Sequence, residues 1–309
     1  MYKELLAKID QYEKITIFRH QRPDGDCMFS ALALKCFLNE NFQHKTALIA
    51  GKDEYDLFPF TEEVPDSFVR NSLGIVLDTS TRVRIADERL DLCDYIIKID
   101  HHPIIENYGD LNYVNDKAGA VAELLTEILF SKPFKSYSKS KEVCKYLYCA
   151  LLADTINFRT SSTTADTLKA GALLAEKGEL NISELSDFIL NVSASTFAKI
   201  TDIRKHLKIK GNFGYIILNE EDLADIGIQA LEAKNHISEI GNITDLNIWA
   251  FAVKSEKKYD VSVRSKKPYR INDICMKYGG GGHFNASGVK GLSSDELSSM
   301  FEELSARSS

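Results

Sequence analysis

Paired cysteine is the first thing this 309-residue sequence lacks: Cys27, Cys36, Cys93, Cys144, Cys149 and Cys275 form no CxxC motif and no secreted-style framework. That excludes a disulfide-stapled domain and predicts reduced, mostly buried thiols. Also missing is any uninterrupted apolar run of the roughly 18 residues that a membrane span needs. The opening MYKELLAKIDQYEKI alternates charge and apolar residues at helical spacing and holds no signal-peptide core. A cytoplasmic protein without membrane contact is expected. Basic excess is lacking too, since the net charge is −7. This argues against a general nucleic-acid coat protein and leaves a small anionic substrate open, because a site can be locally positive on an acidic chain. There is no internal repeat and no long low-complexity segment.

With 44% hydrophobic residues, the chain has material for two ordinary cores. Strand-like segments at 15–18, 46–50, in LGIVL before Asp78 and at 95–100 alternate with helical patterns at about 3–13, 27–41 and 81–94. Such alternation predicts an α/β domain built on parallel strands with right-handed crossovers. A loop after Pro103, then helices at 119–130, from about 142, at 163–178 and at 182–191, complete a first domain over 1–190. Between Lys52 and Val69 the chain reads as a looser acidic and aromatic region. Residues 191–205 read as a linker. Beyond it, strands at 213–218, 246–253 and 258–264 with helices at about 222–239, 271–278 and 293–306 predict a smaller mixed α/β domain over 206–309.

The stretch YIIKIDHHP, Tyr95 to Pro103, organises the rest. A buried strand ends in Asp100, His101 and His102, and Pro103 ends the ladder. Polar strand ends of this kind lie in the crevice where open α/β sheets bind ligands. Other elements end similarly. RHQRPDGD sets His20, Asp24 and Asp26 around a Pro-Asp-Gly turn, LGIVLDTS ends in Asp78, and a largely apolar helix ends in Asp154. Imidazoles with several carboxylates suit divalent metal ions that take mixed nitrogen and oxygen ligands, and the acids suffice for two. Two ions sharing a carboxylate would stabilise the attacking and leaving oxygens of a phosphoryl displacement.

Each piece alone has an ordinary explanation. A strand-end aspartate such as Asp78 often caps the following helix, His20 beside an arginine is commonly a satisfied surface histidine, and Asp154 can cap a turn. What favours a site is that four elements of one sheet domain end in ligand-type residues. The run Gly279 to Gly282 before His283 is by default a flexible loop, unless an anionic group approaches the bare backbone. The lysines and arginines from 254 to 270 read as a solvated face. Arg264 stands apart because it ends a strand and has the fork geometry for a phosphate.

Taken together, HQRPDGD, LDTS, DHHP and ADT, followed by GGGGHFNASG, resemble the motifs of the DHH phosphoesterases and of their DHHA1 carboxyl-terminal domain. The resemblance spans nearly the whole chain and is closest to the two-domain bacterial oligoribonucleases that also remove the 3′-phosphate from adenosine 3′,5′-bisphosphate (pAp). It implies two manganese ions, one on His20 and Asp24, one on Asp26, His101 and Asp154, with Asp78 bridging them. It implies that Asp100 orients a ligand histidine and that His102 contacts the scissile phosphate. Arg264, His283 and the backbone of Gly280, Gly281 and Gly282 would grip the terminal nucleotide. The implied activity is hydrolysis of very short RNA to nucleoside 5′-monophosphates, with pAp or pApA as further substrates and a homodimer as an open oligomeric form. Rival readings are a phosphodiesterase for cyclic di-adenylate or pApA and, outside catalysis, a nucleotide-binding regulator. Two departures bear on substrate preference. Cys27-Met28-Phe29-Ser30 stands where the family often has a small pair, and Thr155-Ile156-Asn157-Phe158 lacks the glycine of Thr-Gly-x-Phe.

Overall fold

The computed structural model describes residues 2–51 and 62–309, so the stretch read as looser from Lys52 onward lies outside the described residues up to position 61. The chain divides into two compact units, Met1–Asn191 and Val192–Ser309. Among the described residues no helix is long and apolar enough to cross a membrane.

The first unit runs α1 (Tyr2–Gln11), β1 (Lys14–Phe18), α2 (Gly25–Asn41), β2 (Thr46–Ala50), α3 (Asp66–Val69), β3 (Leu73–Leu77), β4 (Tyr95–Asp100), β5 (Leu111–Val114), α4 (Val121–Phe130), α5 (Lys141–Thr155), α6 (Ala165–Gly178) and α7 (Ile182–Leu190). Its strands form one sheet in the order β2-β1-β3-β4-β5. Every pairing is parallel, with Ile17 beside Ile75 and Ile75 beside Ile97. The chain leaves β1 for β2 on one side and returns to β3 on the other. Beyond the carboxyl ends of β1 and β3 the connections therefore diverge and leave a crevice, the switch point of a doubly wound sheet.

Strand parity distributes the side chains. Ile15, Ile17, Ile75, Leu77, Ile97 and Ile99 pack into the large core with α2, α4 and α5. Phe18, Val76 and Ile96 enter a smaller core on the opposite face. On β4 the alternation puts Lys98 and Asp100 on the Ile96 face, while His101 continues the Ile97 and Ile99 face.

The second unit comprises α8 (Ala194–Lys205), β6 (Lys208–Lys210), β7 (Phe213–Leu218), α9 (Glu220–Ile226), α10 (Ala230–Asn235), β8 (Ile248–Ser255), β9 (Lys258–Ser265), α11 (Asn272–Lys277), β10 (Gly281–His283), β11 (Ala286–Leu292) and α12 (Ser294–Arg307). Its mixed sheet runs β10-β11-β9-β8-β7-β6, with only β7 and β8 parallel.

Several local expectations change. Residues 81–94 form two short 3₁₀ turns, Arg82–Arg84 and Glu88–Leu92, and no α-helix. Their backbone is used elsewhere: the Arg84 carbonyl accepts from the Gln21 amide at 2.7 Å, the Ala86 amide donates to Arg19 at 2.9 Å, and Ile85 bridges to His20. The segment read as linker carries α8, whose amino end is capped by the Ser193 hydroxyl accepting from the Thr196 amide at 3.0 Å. The helix expected over 222–239 is broken at Gly227, which takes φ +68° and ends α9. The loop after Pro103 contains strand β5, paired with β4. The glycine run forms edge strand β10, because a Cβ at Gly280 or Gly282 would meet carbonyl oxygens of β11 at 2.1 and 2.5 Å.

Candidate active site

Of the candidate residues, those of the first unit converge at the switch point. His20 follows β1, Asp24 and Asp26 open α2, Asp78 follows β3, Asp100 ends β4 with His101 and His102 after it, and Asp154 lies in the last turn of α5. Asp78 is the meeting point. Its Oδ2 lies 3.5 Å from His20 Nε2, and its Oδ1 lies 3.3 Å from His101 Nε2 and 3.4 Å from His102 Nδ1. Asp24 approaches His20 Nε2 at 3.8 Å, and Asp154 approaches His101 Nε2 at 3.7 Å. Asp78 adopts φ 55°, uncommon for a non-glycine residue and typical of strained functional positions.

The outer contacts of the imidazoles are informative. His20 Nδ1 faces the Gln21 carbonyl at 2.8 Å and His101 Nδ1 faces the Ala118 carbonyl at 3.3 Å. A carbonyl only accepts, so Nδ1 carries the proton and each Nε2 is aimed at the carboxylates. Metal-binding histidines are commonly held in this way.

Asp26 ties its own helix to a neighbouring one. Its carboxylate accepts the Val121 and Ala122 amides at 2.6 and 3.2 Å and the Ser30 hydroxyl at 3.1 Å. It thereby satisfies the first turn of α4, whose own N-cap, Ala120, offers no side chain. Asp24 caps α2 through Oδ1, which accepts from the Cys27 amide at 3.0 Å, and its side chain is 59% exposed.

Electrostatically the cluster demands positive charge. Burial, then Asp78 and Asp154, hold the Asp26 carboxyl well above the usual carboxylate range. Burial also raises Asp154, to about 6, with His101 pulling it down and Asp78 pushing it up. Burial would raise Asp78 as well, but His101 and His20 hold it below the usual range. For His101, burial disfavours charge, yet Asp78, Asp26 and Asp154 push its pKa up to about 11.

Whether this donor set fits a metal is decided at Asp78. Its Oδ1 is buried and makes no hydrogen bond of acceptable geometry among the described residues, despite the two imidazoles nearby. A buried carboxylate oxygen left unsatisfied among other acids is costly unless a cation completes it. Ligand atoms of Asp26, His101 and Asp154 lie within 4.8 Å of one another, as do those of Asp78, His101 and His102 and of His20, Cys27 and Asp78. The residues present therefore fit a divalent metal.

Two members were not legible in the sequence. Cys27, read as a buried thiol and as part of a departure beside the first motif but not as a site residue, stands beside His20 and Asp78, with its pKa raised to about 11 by burial. Only its place directly after Asp26, in the first turn of α2, hinted at this. Lys98 is fully buried within β4, and its Nζ lies 3.2 Å from Asp100 Oδ2 and donates to the Ser80 and Glu106 carbonyls at 3.0 Å. Asp100 Oδ1 in turn accepts from His102 Nδ1 at 2.8 Å and from the His102 amide at 3.2 Å. Burial would raise the Asp100 carboxyl, but His102, with Lys98 behind it, holds it below the usual range. The signal was a lysine two residues before an acid on one strand face.

Arg264, Gly280, Gly281, Gly282 and His283 belong to the second unit. Arg264 lies on β9 between Trp249 of β8 and Ala286 of β11. Its Nη1 donates to the Val263 carbonyl at 2.9 Å, and it forms no ion pair with a carboxylate among the described residues. Burial depresses its pKa. Gly281 is exposed, and a Cβ there would meet nothing within 4 Å. His283 ends β10, and its side chain lies outside the described residues.

Residues 14–153 match the DHH family, N-terminal domain, and residues 212–308 match the DHHA1 domain. The chain is 32% identical to a probable bifunctional oligoribonuclease and PAP phosphatase NrnA of Streptococcus mutans, over 98% of this chain and 97% of that one. It is 31% identical to the bifunctional oligoribonuclease and PAP phosphatase NrnA of Bacillus subtilis, with the same coverage. An exopolyphosphatase-related protein from Bacteroides fragilis has a similar fold, with TM-score 0.86, 20% identity, and coverage of 99% of this chain and 95% of that one.

Proposed function

Because the chain belongs to the DHH family of phosphoesterases, in the form that carries a DHHA1 domain, and so hydrolyses phosphoester bonds, we propose that its substrates are very short RNA and pAp. The reaction is manganese-dependent and releases nucleoside 5′-monophosphates from RNA and the 3′-phosphate from pAp. The observation that carries this reading is the unsatisfied Asp78 Oδ1 beside His101 and His102 at the switch point, with Oδ2 of the same carboxylate facing His20. The two relatives named as bifunctional oligoribonuclease and PAP phosphatase, matched over 97% of their length, support the substrate class. A cytoplasmic setting fits six cysteines that are all unpaired.

In this reading His20 and Asp24 hold one ion, Asp26, His101 and Asp154 hold the other, and Asp78 serves both. When bound, the ions supply Lewis-acid stabilisation of charge developing on the phosphoryl oxygens. The chain's own residues position the rest. Asp100 accepts from Nδ1 of His102 and fixes the ring, so that its doubly protonated form donates from Nε2 to the scissile phosphate. Lys98 holds Asp100 from behind and acts as a positioning residue. In the second unit Arg264, the exposed backbone at Gly281 and its neighbours Gly280 and Gly282, and His283 contact the terminal phosphate or nucleoside.

The test is turnover of 5′-phosphorylated RNA dinucleotides beside pAp, pApA and cyclic di-adenylate, in manganese and in chelator. Metal-dependent cleavage of all base combinations and of pAp is expected. Activity confined to adenylate dinucleotides would assign the chain to signalling-nucleotide turnover, and tight dinucleotide binding without cleavage would make it a binding protein.

A further inference from the structure

Both departures from the family pattern face one cavity. Phe29 on α2 and Ile156 just after α5 line, with Gly25, Ala153, Phe188 and Leu190, an apolar pocket of about 300 Å³ in the first unit. Gly25 lies between Asp24 and Asp26, and Ala153 directly precedes Asp154, so the pocket wall begins one residue along the chain from the residues that carry the carboxylates. Gly25 permits this closeness, since a Cβ there would stand 2.5 Å from that of Ala153.

The pocket is aromatic where it is open. The Phe188 ring is 65% exposed and meets Phe29 edge-on at 6.2 Å, while Phe29 stacks on Tyr146 at 6.3 Å. Ile156, 41% exposed, closes another side in the left-handed conformation with φ 47°. A β-branched residue in that conformation is strained, and its place in this wall is where strain is stored beside function. None of the lining side chains carries a hydrogen-bonding group, so the pocket can hold a flat apolar surface without side-chain readout of polar edges.

We propose that this pocket seats a nucleobase of the substrate, stacked on Phe188, while the adjoining phosphate lies over the carboxylate and histidine cluster. This rests on the nucleotide phosphoesterase reading above and specifies which part of that site meets the base. The occupant is argued from continuity: the pocket and the metal-ligating loop share the chain around Gly25 and Ala153. The volume, at the low end for small-ligand sites, is ample for one planar ring system. Stacking without polar readout accepts every base, because every base has a π face. Base tolerance of the enzyme thus follows from the walls of the pocket.

The experiment uses the full chain with a 2-aminopurine RNA dinucleotide whose methylphosphonate link is neutral and resists hydrolysis, in chelator, so that stacking is read as fluorescence quenching without turnover. Quenching is expected with the unaltered chain and with Phe188→Trp, and a roughly 5- to 100-fold weaker affinity with Phe188→Ala. In manganese, Phe188→Ala should raise KM for ordinary dinucleotides by a similar factor with kcat nearly unchanged, and should leave an abasic dinucleotide unaffected. Cleavage with no quenching and an unchanged KM in Phe188→Ala overturns the pocket and leaves the phosphoesterase reading standing. Quenching that depends on Phe188, in a chain that cleaves nothing in the panel, overturns that reading and keeps the pocket. Loss of dimer on sedimentation of Phe188→Ala, without quenching in the unaltered chain, assigns the face to a second copy and also overturns the proposal.

Discussion

The two units treat buried charge in opposite ways. In residues 1–191 the buried polar set includes Arg19, His20, Asp26, Asp78, Lys98, Asp100 and Glu123, whereas the buried polar residues described in the second unit are Ser265, Ser287 and Ser308. Desolvating an ion costs several kcal/mol and is recovered only through well-placed partners. The first unit carries that cost at the carboxyl ends of its strands, where partners from β1, β3, β4 and α5 meet. The second builds on an apolar core of residues such as Phe213, Ala250, Val263 and Met300. The candidate metal ligands are concentrated in the unit that tolerates buried ions, and the other is built on an apolar core.

The largest effect is expected at Asp78. Asp78→Asn should lower kcat by about 10³-fold or more, since in the proposed assignment one carboxylate would serve both metal-binding sets. Manganese at 100 times its Kd should stabilise the unaltered chain by about 2.7 kcal/mol, seen as a rise in Tm, and this rise should shrink in the variant. A variant with normal turnover would erase the contrast between the units.

Two Lys–Asp pairs sharpen it. Lys98 and Asp100 are fully buried at 3.2 Å, while Lys234 and Asp260 of the second unit pair at 2.7 Å with side chains 20% and 33% exposed. Lys98→Met leaves Asp100 buried without its cation and should cost about 3–5 kcal/mol in urea unfolding. Lys234→Met should cost at most about 1 kcal/mol. Equal losses would show that burial is not what separates the units.

Helix ends give a smaller test. α5 ends in Ile156 at φ 47°, and α9 ends in Gly227 at φ 68°. Ile156→Gly should stabilise the first unit by about 0.5–1 kcal/mol, and Gly227→Ala should destabilise the second by about 1 kcal/mol, both measurable by thermal unfolding.

The smallest effect concerns pH. Burial opposes ionisation of Asp260, but Lys234 and the Gly291 amide win and hold its carboxyl below the ordinary value. A depressed carboxyl stabilises the folded state above the unfolded pKa of about 3.9, and that contribution disappears as pH falls through the lower folded value. Between about pH 5 and 3, Asp260→Asn should therefore lose less stability than the unaltered chain, as urea midpoints taken across that range would reveal.

Much of this was readable from residue order. The alternation of apolar runs from Ile15 to Asp100 carried the parallel sheet, and the polar strand ends carried the ligand chemistry. Where reading failed, backbone hydrogen bonds had been taken up by distant partners. Residues 81–94 have a helical composition, but the Arg84 carbonyl accepts from Gln21 and the Ala86 amide donates to Arg19, where a continuing helix would have used both within the segment. The glycines 280 and 282 were read through anion binding alone, and the close carbonyls of β11 add a second, packing reason for them that the residue order did not show.

The strands from Ile15 to Asp100 and the residue types at their polar ends depend on neighbours a few positions apart, so the order of residues was enough to predict them. Which ligands share an oxygen, that Lys98 stands behind Asp100, and that Phe29, Ile156 and Phe188 enclose one pocket depend on contacts between residues far apart in sequence. Those contacts were set only when the sheet order β2-β1-β3-β4-β5 brought β1 beside β3, because side-chain electrostatics and packing act over a few ångströms of space and not along the chain.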